Sequence, residues 1–133
     1  MSQENTERLR VGYEALARGD MGPVLALFDP DLHVEDHDRT LEGPRISRGH
    51  DGFLTMFSSA NEGFEDVRYA PERFDDLGDR VLVVVRRTGR GSVSGVSVDE
   101  RQFHVFDFEG ERVIGLRAFL EERQALEAVG LRE

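Results

Sequence analysis

The chain has no cysteine, no tryptophan and no lysine, and only 4 prolines in 133 residues. Without cysteine it forms no disulfide, offers no thiolate nucleophile and builds no Cys-ligated zinc or iron–sulfur site. All 17 basic residues are arginine, set against 27 carboxylates, for a formal charge of −10. That balance speaks against a nucleic-acid partner, because a polyanion needs a basic face that releases its counterions. No run approaches the ~18 consecutive apolar residues of a membrane span. Met1 to Glu7 carries neither the basic nor the apolar stretch of a secretory leader. A soluble, cytoplasmic protein without a membrane partner is therefore expected. At this length one domain is expected over residues 1–133, large enough to bury about two-thirds of its unfolded surface.

What is present is a change of period along the chain. Leu9, Tyr13, Leu16 and Ala17 recur at helical spacing, which predicts a helix from about Asn5 to Arg18, ended by Gly19. Asp20 then caps a second, shorter helix with Val24, Leu27 and Phe28 on its apolar face, closed by Pro30. Leu32 to Asp36 reads as a short strand. Ser47-Arg48-Gly49 leads into a third helix carrying Phe53, Met56, Phe57 and Ala60 on one face.

From Phe64 the period becomes two. Val67 and Tyr69 alternate with charged residues until Pro71, which marks an edge strand or a bulge. Val81 to Thr88 is a β-branched strand, and Val96 to Phe108 follows a glycine-rich turn. Val113 to Leu120 returns after the hairpin signal Glu109-Gly110-Glu111, and Glu122 to Val129 is a last short helix. Gly89-Arg90-Gly91-Ser92 looks like a phosphate loop but lies between strands, with no helix N-terminus behind it. The order of elements signals an α+β fold with helices packed on one face of a curved antiparallel sheet.

Several of these stretches follow a family pattern. They are the Gly19-Asp20 turn between two helices, Val34-Glu35-Asp36, the Arg48-Gly49 start of helix three, the hairpin Phe106 to Ile114, and the tail Ala125 to Leu131. Together they resemble the nuclear transport factor 2-like superfamily, in its branch of SnoaL-like, ketosteroid isomerase-like small proteins. The resemblance implies a cone-shaped, curved antiparallel meander wrapped around three N-terminal helices, with a deep pocket at its open end and a short C-terminal helix. It also implies a homodimer through the sheet. The family holds isomerases, cyclases, epoxide hydrolases, dehydratases and non-catalytic binding domains, so fold alone does not name the chemistry.

Three polar residues are candidates for the pocket. Alternation puts Asp36 beside Val34 on the expected core side of its strand, where desolvation raises a carboxyl pKa toward the range of a general base. By resemblance it takes the place of the proton-shuttling aspartate of ketosteroid isomerases; the other reading is a carboxylate that bonds backbone ahead of a turn at His37 to Thr40. His104 shares a face with Gln102, Phe106 and Phe108, and by resemblance falls where those isomerases carry a protonated aspartate. It either donates to a substrate carbonyl or is satisfied by Gln102, a backbone carbonyl or water.

Arg86 shares a face with Leu82, Val84 and Thr88. By alignment that face lines the pocket, where a guanidinium holds a carboxylate or an anionic intermediate; the opposing reading is a solvated strand-end arginine, with Arg87 or Arg90 able to serve equally. The isomerases' helix-one tyrosine is missing: that position is Gly12, and Tyr13, turned by about 100°, is expected to pack in the core.

His33, Glu35 and His37 share a strand face but span roughly 13 Å, too far for three ligands of one metal on a straight strand. His50 reads as a solvated first-turn residue of helix three. No metal and no cofactor are expected. The resulting expectation is a pocket for a small apolar or aromatic carbonyl compound, with Asp36 as base and His104 and Arg86 as oxyanion partners in an isomerase-, cyclase- or dehydratase-type proton transfer. The wall would come from Phe53, Phe57, Leu82, Val84, Phe106, Leu116, Ala118 and Leu120. A non-catalytic domain of the same fold is the alternative. Epoxide hydrolysis by an Asp-Arg-Asp set is disfavoured, because the return strand offers no carboxylate before Glu121.

Overall fold

The computed structural model describes residues 2–37 and 43–131. Helix α1 (Ser2–Ala17) ends where Gly19 takes a φ of +74°, and α2 (Met21–Leu27) starts with the Asp20 carboxylate accepting from the Gly22 N–H. Strands β1 (Phe28–His37) and β2 (Arg45–Arg48) precede α3 (Gly49–Asn61). Then come β3 (Phe64–Asp76), β4 (Arg80–Gly91), β5 (Ser97–Glu109), β6 (Arg112–Phe119) and α4 (Glu122–Ala128).

The helix and strand types follow the periods read from the sequence, with two departures around Phe28 and Arg45. Phe28 opens β1 rather than closing α2, and Pro30 lies inside that strand. The proline is tolerated because β1 and β6 break register between Phe28 and His33, so no ladder bond needs its missing N–H. Strand β2 has a single apolar residue, Ile46, and that one is exposed, so neither period marks it. Pro71 does sit at a bulge in an edge strand, where the β3–β4 register shifts between Pro71 and Arg73.

The sheet corrects the expected architecture. Its order is β2-β1-β6-β5-β4-β3, and β1 runs parallel to β6, so the sheet is mixed rather than an antiparallel meander. Its edges, β2 and β3, pair with no further strand among the described residues, so the sheet is open and not rolled into a cone. Alternation reports which side chains share a face, but pairing direction and closure depend on partners distant in the chain.

Both faces of the sheet centre are covered. On one, Leu9 and Tyr13 of α1, Val24 of α2 and Phe53 of α3 pack against Val81, Val83, Val85, Phe106 and Leu116. On the other, Ala125 of α4 packs against Leu82, Val84, Phe103, Val105 and Phe119. This second layer overturns the expectation of helices on one face only. Burying each such Leu, Val or Phe contributes about 1.5–3 kcal/mol, so both layers matter to stability.

The helices are also tied down by polar contacts. Asn5 Nδ2 donates to the Gly110 carbonyl at the β5–β6 hairpin, and His50 Nε2 donates to the Phe28 carbonyl at 2.9 Å, so His50 is not merely solvated. Among the described residues no helix is long and apolar enough to cross a membrane. Gly49 starts α3 with a φ of +78°, and a Cβ there would lie 3.0 Å from the Pro30 carbonyl oxygen. Gly49→Ala is expected to cost about 1–2 kcal/mol, through the left-handed backbone and that contact. A urea unfolding midpoint equal to the parent's would show that the start of α3 relaxes freely.

Candidate ligand cavity and its polar chain

A cavity of about 650 Å³ opens between α1, α2, α3 and the inner face of the sheet. Phe53, Phe57, Phe106, Leu116, Ala118 and Leu120 line it, together with Leu9, Leu16 and Leu27 from the helices. That size and apolar character suit a small organic molecule.

Asp36 and His104 both line this cavity, and the sheet register relates them. Asp36 lies opposite Ala118 on β6, and Ala118 lies opposite His104 on β5. Laterally paired residues project to the same side, so Arg45, Asp36, Ala118, His104 and Val83 form one row across the inner face. Two strand spacings separate the backbones of Asp36 and His104 by roughly 10 Å. The alanine between them keeps the gap free of bulk. The turn at His37 to Thr40, invoked in the other reading of Asp36, lies beyond His37 outside the described residues.

Arg86 lies elsewhere. Its guanidinium is on the outer face, paired with Asp99 through Nε at 2.8 Å and half exposed. Leu82 and Val84 share that outer face and pack beneath α4, so none of these three belongs to the cavity wall. Both faces of β4 are apolar because helices cover both, and the alternation read on this strand therefore left the choice of face undetermined. The opposite set, Val81, Val83, Val85 and Arg87, faces the cavity side.

Two arginines line the cavity, Arg45 at its β2 edge and Arg87, which is only 5% exposed. Its Nη2 donates to the Ala60 carbonyl at 2.9 Å and to Asn61 Oδ1 at 2.8 Å, and its Nε to the Tyr69 hydroxyl at 3.2 Å. Nη1 reaches Glu100 Oε2 at 3.4 Å, and the guanidinium lies over the Phe64 ring, 5.1 Å from its centroid.

From Glu100 a hydrogen-bonded chain climbs the inner face of β5. Gln102 Nε2 donates to Glu100 Oε2 at 3.0 Å, and Gln102 Oε1 lies 3.0 Å from His104 Nε2. His104 Nδ1 lies 2.7 Å from the Tyr13 hydroxyl. Removal from bulk water lowers the His104 pKa from 6.5 to about 4, so the ring is neutral near pH 7. Burial likewise raises Tyr13 well above the ordinary tyrosine range, with Tyr69 adding to it. Tyr13 is buried in the core as expected, yet its hydroxyl ends this chain and the residue also lines the cavity.

Arg87, Glu100, Tyr69 and Asn61 form a cluster outside the three expected site residues Asp36, His104 and Arg86. The signal was present at period two: Glu100, Gln102, His104 and Phe106 alternate along one strand, so one inward residue implies the rest.

On β1, Glu35 accepts from His33 Nε2 at 2.7 Å and from His37 Nε2 at 2.9 Å. Burial pushes the Glu35 carboxyl pKa up, but the bonds from His37 and His33 outweigh it and hold it below the usual range. His37 also stacks on Phe119 with ring centroids 4.4 Å apart. Among the described residues no group of three His, Asp or Glu is placed to hold a metal ion.

A family model described as the SnoaL-like domain matches residues 9–116. The chain belongs to the SnoaL-like family. Its fold is that of the nuclear transport factor 2-like proteins, as the sequence motifs indicated. An NTF2-like protein of unknown function from Burkholderia pseudomallei K96243 is 26% identical, with a TM-score of 0.77 over 92% of this chain and 95% of that one. A putative SnoaL-like polyketide cyclase from Jannaschia sp. CCS1 is 21% identical, with a TM-score of 0.75 over 98% of this chain and 94% of that one. TerC, crystallised with polyporic acid, is 19% identical, with a TM-score of 0.75 over 95% and 98% of the two chains. Among curated proteins none matches this chain.

The depressed His104 pKa has a direction in stability. The unfolded imidazole takes up a proton near pH 6.5 while the folded one does not until about pH 4, so stability falls as pH drops through that interval. Between pH 7 and pH 5 this term amounts to about 2 kcal/mol. Urea titrations should show a clearly smaller loss over that range for His104→Gln than for the parent. Equal losses would show that His104 is not the group responsible.

Proposed function

We propose that this SnoaL-like protein binds a small apolar or aromatic carbonyl compound in the cavity, and that Asp36 accepts a proton from the carbon beside the carbonyl. The observation that carries this reading is the inner-face row, in which a carboxylate and the Tyr13–His104 pair stand on either side of Ala118 above an apolar wall. The ligand's rings pack on Phe53, Phe57, Phe106 and Leu116, and its oxygen lies against the Tyr13 hydroxyl. In the proton transfer the C–H bond breaks toward an Asp36 oxygen, and the electron pair moves onto the carbonyl oxygen as an enolate. His104 offers the ligand no nitrogen of its own, because its N–H is spent on Gln102 and its Nδ1 faces the Tyr13 hydroxyl. The putative polyketide cyclase and the polyporic acid complex among the similar structures are compatible with an aromatic or carbonyl-bearing ligand. With Arg86 paired on the outer face, the expected Asp36–Arg86 pair for epoxide hydrolysis is not assembled at the cavity.

The second reading, a carrier without chemistry, is favoured by one feature: both ring nitrogens of His104 are already occupied within the protein. A cytoplasmic homodimer joined through the sheet belongs to the same proposal, and light scattering should return twice the 15.1 kDa chain mass.

The two readings separate by hydrogen–deuterium exchange at the α-carbons of 2-tetralone in D2O, followed by proton NMR. The enzyme reading expects acceleration by the parent and a loss of about 10²–10⁴-fold in Asp36→Asn, the usual worth of a general base. Undiminished exchange in Asp36→Asn would remove it as the base. Binding of 2-tetralone without any acceleration would establish the carrier.

A further inference from the structure

The polar chain along β5 has a direction, set at Glu100 and carried to Tyr13 at the cavity wall. Glu100, paired with the Arg87 guanidinium, is a carboxylate and only accepts. Gln102 must therefore turn its NH2 toward Glu100 and its carbonyl oxygen toward His104. That oxygen in turn requires a proton on His104 Nε2. A neutral imidazole has one N–H, so Nδ1 is left as an acceptor, and the Tyr13 hydroxyl spends its only proton there.

The reverse polarity fails at a definite place. If His104 carried its proton on Nδ1, its bare Nε2 would face the Gln102 carbonyl oxygen. Flipping Gln102 would then set that oxygen against the Glu100 carboxylate. The ring's depressed pKa is consistent with a single N–H at neutral pH.

We infer that Tyr13 meets the ligand as a hydrogen-bond acceptor, so the cavity selects a hydroxyl group, phenolic or enolic, over a ketone or ether oxygen at that position. The inference rests on the proposed reading of the cavity as a site for aromatic or carbonyl-derived ligands, and names the form of the oxygen that site prefers. A hydroxyl donates to a Tyr13 lone pair and disturbs nothing. A ketone needs the Tyr13 proton for itself, and His104 Nδ1 is then left without a donor. A buried acceptor stripped of its partner corresponds to a loss of affinity on the order of ten- to a hundredfold. Glu100 and Gln102 are positioning residues here: they act through His104 and set which way Tyr13 points its proton. An enolisable carbonyl compound would accordingly be held more tightly as its enol than as its ketone.

The test uses three probes of one shape at pH 7: 2-naphthol, 2-methoxynaphthalene and 2-acetonaphthone, titrated by calorimetry against the parent, Tyr13→Phe and Glu100→Gln. The parent should bind 2-naphthol at least tenfold more tightly than the other two. Tyr13→Phe should bring the three affinities to within about twofold. Glu100→Gln should narrow the preference severalfold, because an amide at 100 can donate as well as accept and no longer fixes Gln102.

Nitrogen-15 NMR of His104 reads the same device without a ligand. The parent should show the Nε2–H tautomer, and Glu100→Gln a mixture of the two. Equal binding of all three probes by the parent, or an Nδ1–H tautomer, overturns the inference while leaving the cavity reading intact. Failure of every probe to bind overturns the cavity reading and the inference with it.

Discussion

A guanidinium buried in the face of a sheet must find acceptors for its charge and its donors, and Arg87 finds them on three other elements. It takes the Ala60 carbonyl and the Asn61 side chain at the end of α3, the Tyr69 hydroxyl on β3 and the Glu100 carboxylate on β5. Those contacts fix where α3 stops relative to the sheet. They also hold Glu100 on the inner face, where Gln102, His104 and Tyr13 follow in turn. The cavity owes to this one residue both a firm wall and the orientation of its polar groups.

Around that chain the surroundings are divided by dielectric. The cavity wall is mainly aliphatic and aromatic, so hydrogen bonds along β5 act in a poorly solvated space and an unsatisfied member is costly. On the outer face the pairs Arg86–Asp99, Arg101–Glu72 and Arg73–Asp75 stand in water, where solvent screens them and each adds little to stability. Arginines of identical chemistry on adjacent positions of one strand thus have different consequences. Arg86 decorates a surface, and Arg87 organises a site.

Local pattern was legible in the sequence wherever one face of an element is apolar and the other polar. The period of α1, the cap at Asp20, the bulge at Pro71 and the hairpin at Gly110 all follow from residues within a few positions of each other. The inward set of β5 was readable for the same reason, with His104, Gln102 and Phe106 on one side. Strand β2 was not, because its four residues carry one apolar side chain and that one is exposed. Nor was the end of α2, since Phe28 suits a helix face as well as a strand.

The sequence by itself determined the family, the α+β composition of elements, the absence of thiol chemistry and the pairing of side chains into faces. Tertiary structure alone decided which face of β4 looks into the cavity, because α4 makes the second face as apolar as the first and periodicity cannot rank two buried sides. It also decided that β1 runs parallel to β6, a choice made between residues more than eighty positions apart in the chain. That pairing, with the β5–β6 register, places Asp36 and His104 across one alanine. No local rule contains it, because hydrogen bonds between strands are indifferent to sequence distance and are selected by what the whole sheet can bury.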